Sequence, residues 1–323
     1  MKPAVIGFDT SNYRTSVAAV TLEGEILLNW RELLPVPLGE RGLRQSEAVF
    51  AHLRELRKAQ DALRKATRGL EIRAVAASVR PRDPEESYMP VFMAGTETAG
   101  ALAAVLQVPF IETTHQRGHL AAAARGTPLA GADHYLAVHL SGGTTDLLHW
   151  EGERLTQIGG SLDLHAGQLV DRAGVAMGLP FPAGPDLEKL AENGRCEGRL
   201  GCSMERDDLW CHFSGAESRI QRLIDEGTIP REDLAREVYD LLARTLCRML
   251  AAGGKATGEM KALVTGGVAS SPLFRSMLEE RLRKSGSELQ VLFGDTELSG
   301  DNAVGAALIG VQQLSTGQHK IQE

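Results

Sequence analysis

The sequence predicts an α/β protein built from two duplicated lobes, each a mixed sheet flanked by helices. Three observations carry this prediction. Short apolar strands alternate with amphipathic helices along the chain. An arrangement of strand, polar turn, strand and glycine hairpin occurs twice, spaced by about 130 residues. The length of 323 residues exceeds one average domain and is enough for two cores.

Taken in order, Ala4 to Ser11 reads as a buried strand running into a polar turn, and Thr15 to Thr21 as a second strand. Gly24 marks the hairpin before Glu25 to Trp30. From about Arg44 to Arg68 the pattern is helical, with Val49, Leu53, Leu56 and Leu63 on one face. Its other face interleaves acids and bases, which describes a solvated surface better than a nucleic-acid patch. A strand is expected over Ala74 to Val79, an Ala- and Gly-rich helix over Val91 to Leu106, and a short strand at Phe110 to Glu112. A helix follows from about His115.

The opening arrangement then returns as the strands Tyr135 to Leu140 and Asp146 to Trp150, joined by Ser141-Gly142-Gly143-Thr144-Thr145. Glu151-Gly152-Glu153 closes the second hairpin. Helices are expected from Gly167 to Gly178, Arg231 to Gly253, Pro272 to Ser285 and Asp301 to Gln313. Between them, strands are expected at Ala262 to Val264 and Leu289 to Phe293, and residues 179–185 and 194–214 read as irregular. The duplication divides the chain into a first lobe of residues 1–132, a second lobe of residues 133–311 and a tail of residues 312–323.

Composition narrows the function classes. The net charge of −7 disfavours a dedicated nucleic-acid binder, so contact with RNA needs a local basic patch or a partner. No apolar run approaches the roughly 18 residues of a membrane helix, and there is no secretory signal pattern. Four cysteines at irregular spacing match no standard zinc module, so a cytoplasmic protein with reduced thiols is expected. A structural zinc on Cys196, Cys202 and Cys211 is the lesser alternative. His165, close to Asp163 and Asp171, reads as a hydrogen-bonded histidine before it reads as an acid/base group.

Two kinds of site remain. The turns at Asp9-Thr10-Ser11 and Ser141-Gly142-Gly143-Thr144 place hydroxyls and unobstructed backbone N–H groups at strand ends, where they suit an anion. With the late turn Thr265-Gly266-Gly267, they match the actin, hexokinase and Hsp70-like ATPase plan. In that plan the first two turns hold phosphates and the third contacts adenosine. His115 and His119, four apart on one helical face, can share a metal. His139 leaves its strand on the same face as Ser141, and Asp301 opens the last helix after Leu298-Ser299-Gly300. Three nitrogens and one carboxylate suit Zn or Fe(II) better than Mg.

With these residues in hand, the chain resembles the tRNA threonylcarbamoyladenosine transferase family, formerly labelled O-sialoglycoprotein endopeptidases or glycoproteases, from Val5 to Gly310. The His-x-x-x-His metal motif of that family matches His115-Gln116-Arg117-Gly118-His119, and its Ser-Gly-Gly turn matches Ser141 to Asp146. Some relatives carry a metal-binding Tyr where His139 stands. The resemblance carries ligand-contacting roles onto Asp171 and Gly184, and an adenosine motif onto Gly266-Gly267-Val268-Ala269-Ser270-Ser271. Glu188 completes the candidate nucleotide set. The family's metal-binding Asp falls on Asp301, and its Phe-Ser-Gly-Leu-Lys motif on Phe213 to Glu217.

The resemblance implies an actin-like ATPase fold, one divalent metal (Fe or Zn), and ATP or an acyl or carbamoyl adenylate as ligand. It implies transfer of threonylcarbamoyl to adenosine 37 of a tRNA, and a homodimer or heterodimer with an actin-like family member. The departures are as specific as the matches. The family's acidic pair is here Tyr13 and Arg14, so no catalytic carboxylate is assigned. Arg80-Pro81-Arg82-Asp83-Pro84 replaces a Gly-Pro-Gly-Leu segment. If Arg14 faces the phosphate site it binds an extra anion and marks a changed substrate; if it points to solvent, the acidic role is lost. The alternative reading is therefore a nucleotide- and metal-binding paralogue with a regulatory or partner role. A metal-dependent glycoprotease is least favoured, because no general-base glutamate accompanies His115 and His119.

Overall fold

The computed structural model describes residues 1–11, 13–35, 43–152, 154–298 and 300–317. Asn12, Ser299 and the end of the expected tail lie outside the described residues. The chain separates into two compact units, residues 1–126 with residues from 297 onward, and residues 127–296. No helix among the described residues is long and apolar enough to cross a membrane.

In the first unit, β1 (Lys2–Ser11), β2 (Arg14–Thr21) and β3 (Ile26–Leu33) form an antiparallel meander. β4 (Leu70–Arg80) and β5 (Phe110–Thr114) add in parallel, giving the order β3-β2-β1-β4-β5. β1 is buried on both faces, which is why its sequence is a nearly continuous apolar run and not an alternating one. Its alternate residues feed two cores. Ile6 and Phe8 pack with Leu56 and Ala59 of α1 (Gln45–Ala66) and with Ala94, Ala99 and Ala103 of α2 (Phe92–Leu106). Val5 packs with Ala303, Val304 and Ala307 at the start of the closing helix, α9 (Val304–Thr316), and with Ala122 of α3 (His115–Ala124).

The second unit repeats the pattern. β6 (His134–Leu140), β7 (Thr145–Glu151) and β8 (Arg154–Ser161) are an antiparallel meander. After them come α4 (Ala166–Ala176), α5 (Gly184–Glu192), β9 (Ser203–Glu205), β10 (Trp210–His212), α6 (Ser214–Glu226) and α7 (Arg231–Thr257). β11 (Lys261–Thr265), α8 (Pro272–Lys284) and β12 (Gln290–Phe293) complete the unit. The sheet order β12-β11-β6-β7-β8-β10-β9 contains the first unit's order, with β9 and β10 added at one edge. Leu234, Val238, Leu241, Leu242, Leu246 and Leu250 of α7 are buried in the core, as their spacing predicts.

Four features differ from the sequence reading. The division at residues 132/133 and 311/312 put the closing helix in the second lobe, whereas it packs on the first sheet and continues to Thr316. Small residues at Ala303, Ala306 and Ala307 make that close packing accessible. The buried stripe of α1 is Ala48, His52, Glu55, Leu56 and Ala59, with Leu53 47% exposed. The stripe turns that way because His52 Nδ1 meets Thr15 Oγ1 at 2.8 Å, a polar contact that an apolar count overlooks. β8, α5 and α6 were not anticipated, α5 because Pro185 read as a loop breaker when it occupies the first turn of a helix. The stretch 194–214, read as irregular, contains the short strands β9 and β10.

Candidate metal centre and nucleotide pocket

The first unit brings His115, His119 and Asp301 together. His115 opens α3, and the four-residue spacing sets both rings over one face of that helix. The two Nε2 atoms stand 3.0 Å apart, and Asp301 Oδ1 lies 3.4 Å from His115 Nε2 and 3.2 Å from His119 Nε2. Ligand atoms sharing a cation at about 2.1 Å take separations of about 3.0–3.4 Å. Two imidazole nitrogens facing each other at hydrogen-bond distance also fit a shared cation better than two lone pairs. The donor set therefore fits a divalent metal, and nitrogen ligands favour Zn or Fe(II) over Mg.

Asp9 supports the site from beneath. It is 1% exposed, and its Oδ2 accepts from His115 Nδ1 at 2.9 Å, which fixes the ring so that Nε2 faces His119 and Asp301. Burial by itself would lower the His115 pKa, but the charge of Asp9 and the hydrogen bonds to Asp301 and Asp9 overcome it and push the pKa to about 10. Burial would raise the Asp301 carboxyl, yet its bonds to both histidines hold it well below the ordinary carboxylate range. Asp9 is lowered as well: its burial is outweighed by the charge and hydrogen bond of His115. The raised His115 pKa reports the negative potential of Asp9 and Asp301, and that potential suits a cation.

The loop after β4 grips the first turn of α3. Thr114 caps the helix, accepting from Arg117 N at 3.3 Å, and donates to Asp83 Oδ1 at 3.1 Å. Arg117, inside the histidine motif, binds Asp83 through Nε at 2.8 Å and Nη2 at 2.5 Å, and Gln116 N donates to Pro81 O at 2.9 Å. Asp83 is a positioning residue that the sequence reading registered only as a departure. Asp83→Asn is expected to weaken metal binding about tenfold, as changes behind first ligands do. Zinc competition against a chelating dye reads the effect, and an unchanged affinity would refute this role for Asp83.

The remaining first-unit candidates differ in role. Thr10 points to the opposite sheet face, donating to Val91 O at 2.9 Å and accepting from Gly95 N at 3.1 Å, so it ties β1 to α2. Ser11 N donates to Asp9 Oδ1 at 3.1 Å, and its own buried hydroxyl has no hydrogen-bond partner among the described residues.

In the second unit, Ser141, Gly142, Asp171, Gly184, Glu188, Gly267 and Ser271 line one cavity of about 440 Å³, of a size usual for small-molecule sites. Ser141 N donates to Thr144 O at 2.8 Å and Gly143 N to Ser141 Oγ at 3.3 Å, closing the turn. Gly266, at φ +102°, lets the ends of β11 and β6 approach without a Cβ between them. Asp171 Oδ1 accepts from Ala183 N at 2.8 Å, while Glu188 Oε1 accepts from Ser271 Oγ at 2.6 Å and Leu273 N at 2.8 Å.

Two lining residues escaped the sequence reading. Tyr239 donates to Gly184 O at 3.0 Å, and Gly167 abuts the Ser141 turn so closely that a Cβ would overlap its backbone. Tyr239 sat in a stripe that reads as core, and its hydroxyl was the available signal. His139 stands on β6 in this second unit, opposite Asp146 in register and beside Thr265. The alternative cysteine zinc does not assemble, because Cys196 stands with Glu237 and Asp240 while Cys202 hydrogen-bonds Cys211.

Comparison with known proteins places the chain in a family and a fold. Residues 50–308 match the family model described as tRNA N6-adenosine threonylcarbamoyltransferase (TsaD). A tRNA N6-adenosine threonylcarbamoyltransferase of Methanopyrus kandleri is 29% identical over 95% of this chain and 86% of its own length. One from Aromatoleum aromaticum is 31% identical over 70% of this chain and 67% of its own. Among solved structures, HypF of T. kodakarensis gives a TM-score of 0.61 at 15% identity, covering 98% of this chain and 48% of that one. A ROK hexokinase from Thermus thermophilus gives 0.57 at 18% identity, covering 94% and 97%. These structural likenesses show an actin-like ATPase fold. The family match over residues 50–308 and the 31% identity to the Aromatoleum aromaticum protein establish that the chain belongs to the tRNA N6-adenosine threonylcarbamoyltransferase family.

Proposed function

We propose that this protein transfers the threonylcarbamoyl group of threonylcarbamoyl-AMP to the amino group of adenosine 37 of tRNA, releasing AMP and using a divalent metal. The observation that carries the reading is the His115, His119 and Asp301 cluster with Asp9 behind it. His115, His119 and Asp301 would hold a divalent ion, which would supply Lewis-acid polarisation of the carbamoyl carbonyl. Asp9 keeps His115 in the tautomer that leaves Nε2 free to ligate, and its burial keeps that hydrogen bond out of water. The second unit's cavity offers Asp171, Glu188 and Gly267 for the adenylate. His139 is proposed as a further ligand on the sequence pattern, and the metal content of His139→Ala reads it. Pairing with an actin-like subunit through the first lobe comes with the resemblance, and light scattering of the chain with and without such a subunit checks it.

A second reading is favoured by Tyr13 and Arg14, which replace the family's acidic pair. On that reading the chain binds nucleotide and metal but modifies no tRNA, serving a partner instead. A peptidase reading has least support, since the cluster of His115, His119 and Asp301 includes no glutamate to act as general base. The deciding experiment combines metal analysis, nucleotide binding and transfer of labelled threonine to tRNA in the presence of the enzyme that makes the adenylate. Labelled tRNA is the expected result. Intact nucleotide and metal binding without label would sink the transferase reading in favour of the second.

A further inference from the structure

We infer that Arg14 makes the metal centre an oxyanion site, taking a carboxylate or phosphate group of the substrate beside the cation. This rests on the reading of His115, His119 and Asp301 as metal ligands.

Strand register carries the inference. β1 and β2 pair with Asp9 opposite Ser16 and Ser11 opposite Arg14. Residues directly opposite share a face of an antiparallel sheet, and so do alternate residues along a strand. Gly7, Asp9, Ser11 and Arg14 therefore emerge on one face. That face is the one bearing the metal centre, because Gly7 abuts Ala303 and Ala307 by α9 and Asp9 bonds His115. Thr10, on the opposite face, goes to α2 as the alternation requires. Arg14 is thus rooted one pleat repeat beyond the Asp9 row, about 7 Å along the sheet.

Charge supplies the second argument. Asp9 and Asp301 together balance a divalent ion, and ligating imidazoles are neutral. Arg14 then adds a positive charge that nothing in the cluster offsets. It is half-buried, and its guanidinium has no ion pair or hydrogen bond with any described residue. The buried Ser11 hydroxyl, also without a partner among the described residues, is a donor on the same face. A guanidinium fork and a metal on one face are complementary to an oxyanion, which each can bind through a different oxygen or a neighbouring group. An acidic residue at position 14 would repel the same group, so this arginine selects for a substrate that carries negative charge close to the reacting carbonyl.

The test uses the intact, zinc-loaded protein titrated calorimetrically with inorganic phosphate and, separately, with acetate. At least one anion is expected to bind the wild type. Arg14→Ala should raise that Kd about tenfold, the worth of one charge-assisted bond pair, with Arg14→Lys between the two. The anion whose affinity falls identifies the source as phosphate or carboxylate. Zinc content and melting temperature of Arg14→Ala should match the wild type. Binding of neither anion by the zinc-loaded wild type overturns the inference, as does equal binding by wild type and Arg14→Ala. A wild type that retains no zinc defeats the underlying metal reading instead, so the two failures are told apart.

Discussion

Replacing His115 with alanine is expected to abolish metal binding, lowering affinity by more than about a hundredfold, because it removes a ligand and not merely its support. The same change strands Asp9, which is 1% exposed and has His115 as a charge partner. A buried charge that loses its partner costs on the order of 3–5 kcal/mol unless it takes up a proton. His115→Ala should therefore also melt earlier than the wild type. His119→Ala separates the two effects, since it removes a ligand but leaves the bond between Asp9 and His115 in place. It should lose metal with a smaller drop in melting temperature. Metal analysis of the purified variants with parallel calorimetry checks both, and full metal content in either variant would exclude these residues as ligands.

The second large effect is expected where two helices cross. Gly305 of α9 meets Gly118 of α3 so closely that a Cβ would overlap the carbonyl of Gly118. Backbone cannot yield as a flexible side chain does, so Gly305→Ala must push the two helices apart. Overpacking of this kind costs roughly 1–3 kcal/mol, and a backbone clash belongs at the upper end. Gly118 adjoins His119, and Gly305 lies four residues after Asp301, so the same displacement separates two of the candidate metal ligands. Reduced stability and weakened zinc binding should appear together. Gly100→Ala in α2 is the control, because its Cβ would meet nothing within 4 Å and the helix gains in propensity. Equal melting temperatures and zinc affinities for Gly305→Ala and wild type would refute the account of this crossing.

Tertiary structure alone explains why that crossing exists. In the sequence, Gly118 is an inconspicuous residue between two histidines and Gly305 one small residue in an Ala-rich helix. Their importance comes from meeting each other across 187 positions of chain (305 minus 118), and no local pattern records such a pairing. The same holds for Asp83 and Arg117, whose bond depends on β4 and β5 lying side by side. It holds also for the buried stripe of α1, which follows a hydroxyl on β2 and not the leucines.

What the sequence determined by itself was whatever depends on short-range periodicity or on repetition. The alternation of strands and helices, the duplicated meander and the polar strand ends are local, so they were readable and led to the fold and its family. His115 and His119 were readable for the same reason, because a helix brings residues four apart onto one face. Asp301 was proposed from its place at a helix start, but its approach to both histidines follows from α9 packing on the first sheet. The role of Asp9 was decided by the fold as well: expected at a phosphate turn, it stands buried behind His115 of the candidate metal centre. Arg14 was visible as a reversal of charge. Only the strand register, which flips a side chain to the other face with a shift of one residue, decides that it shares the metal's side of the sheet.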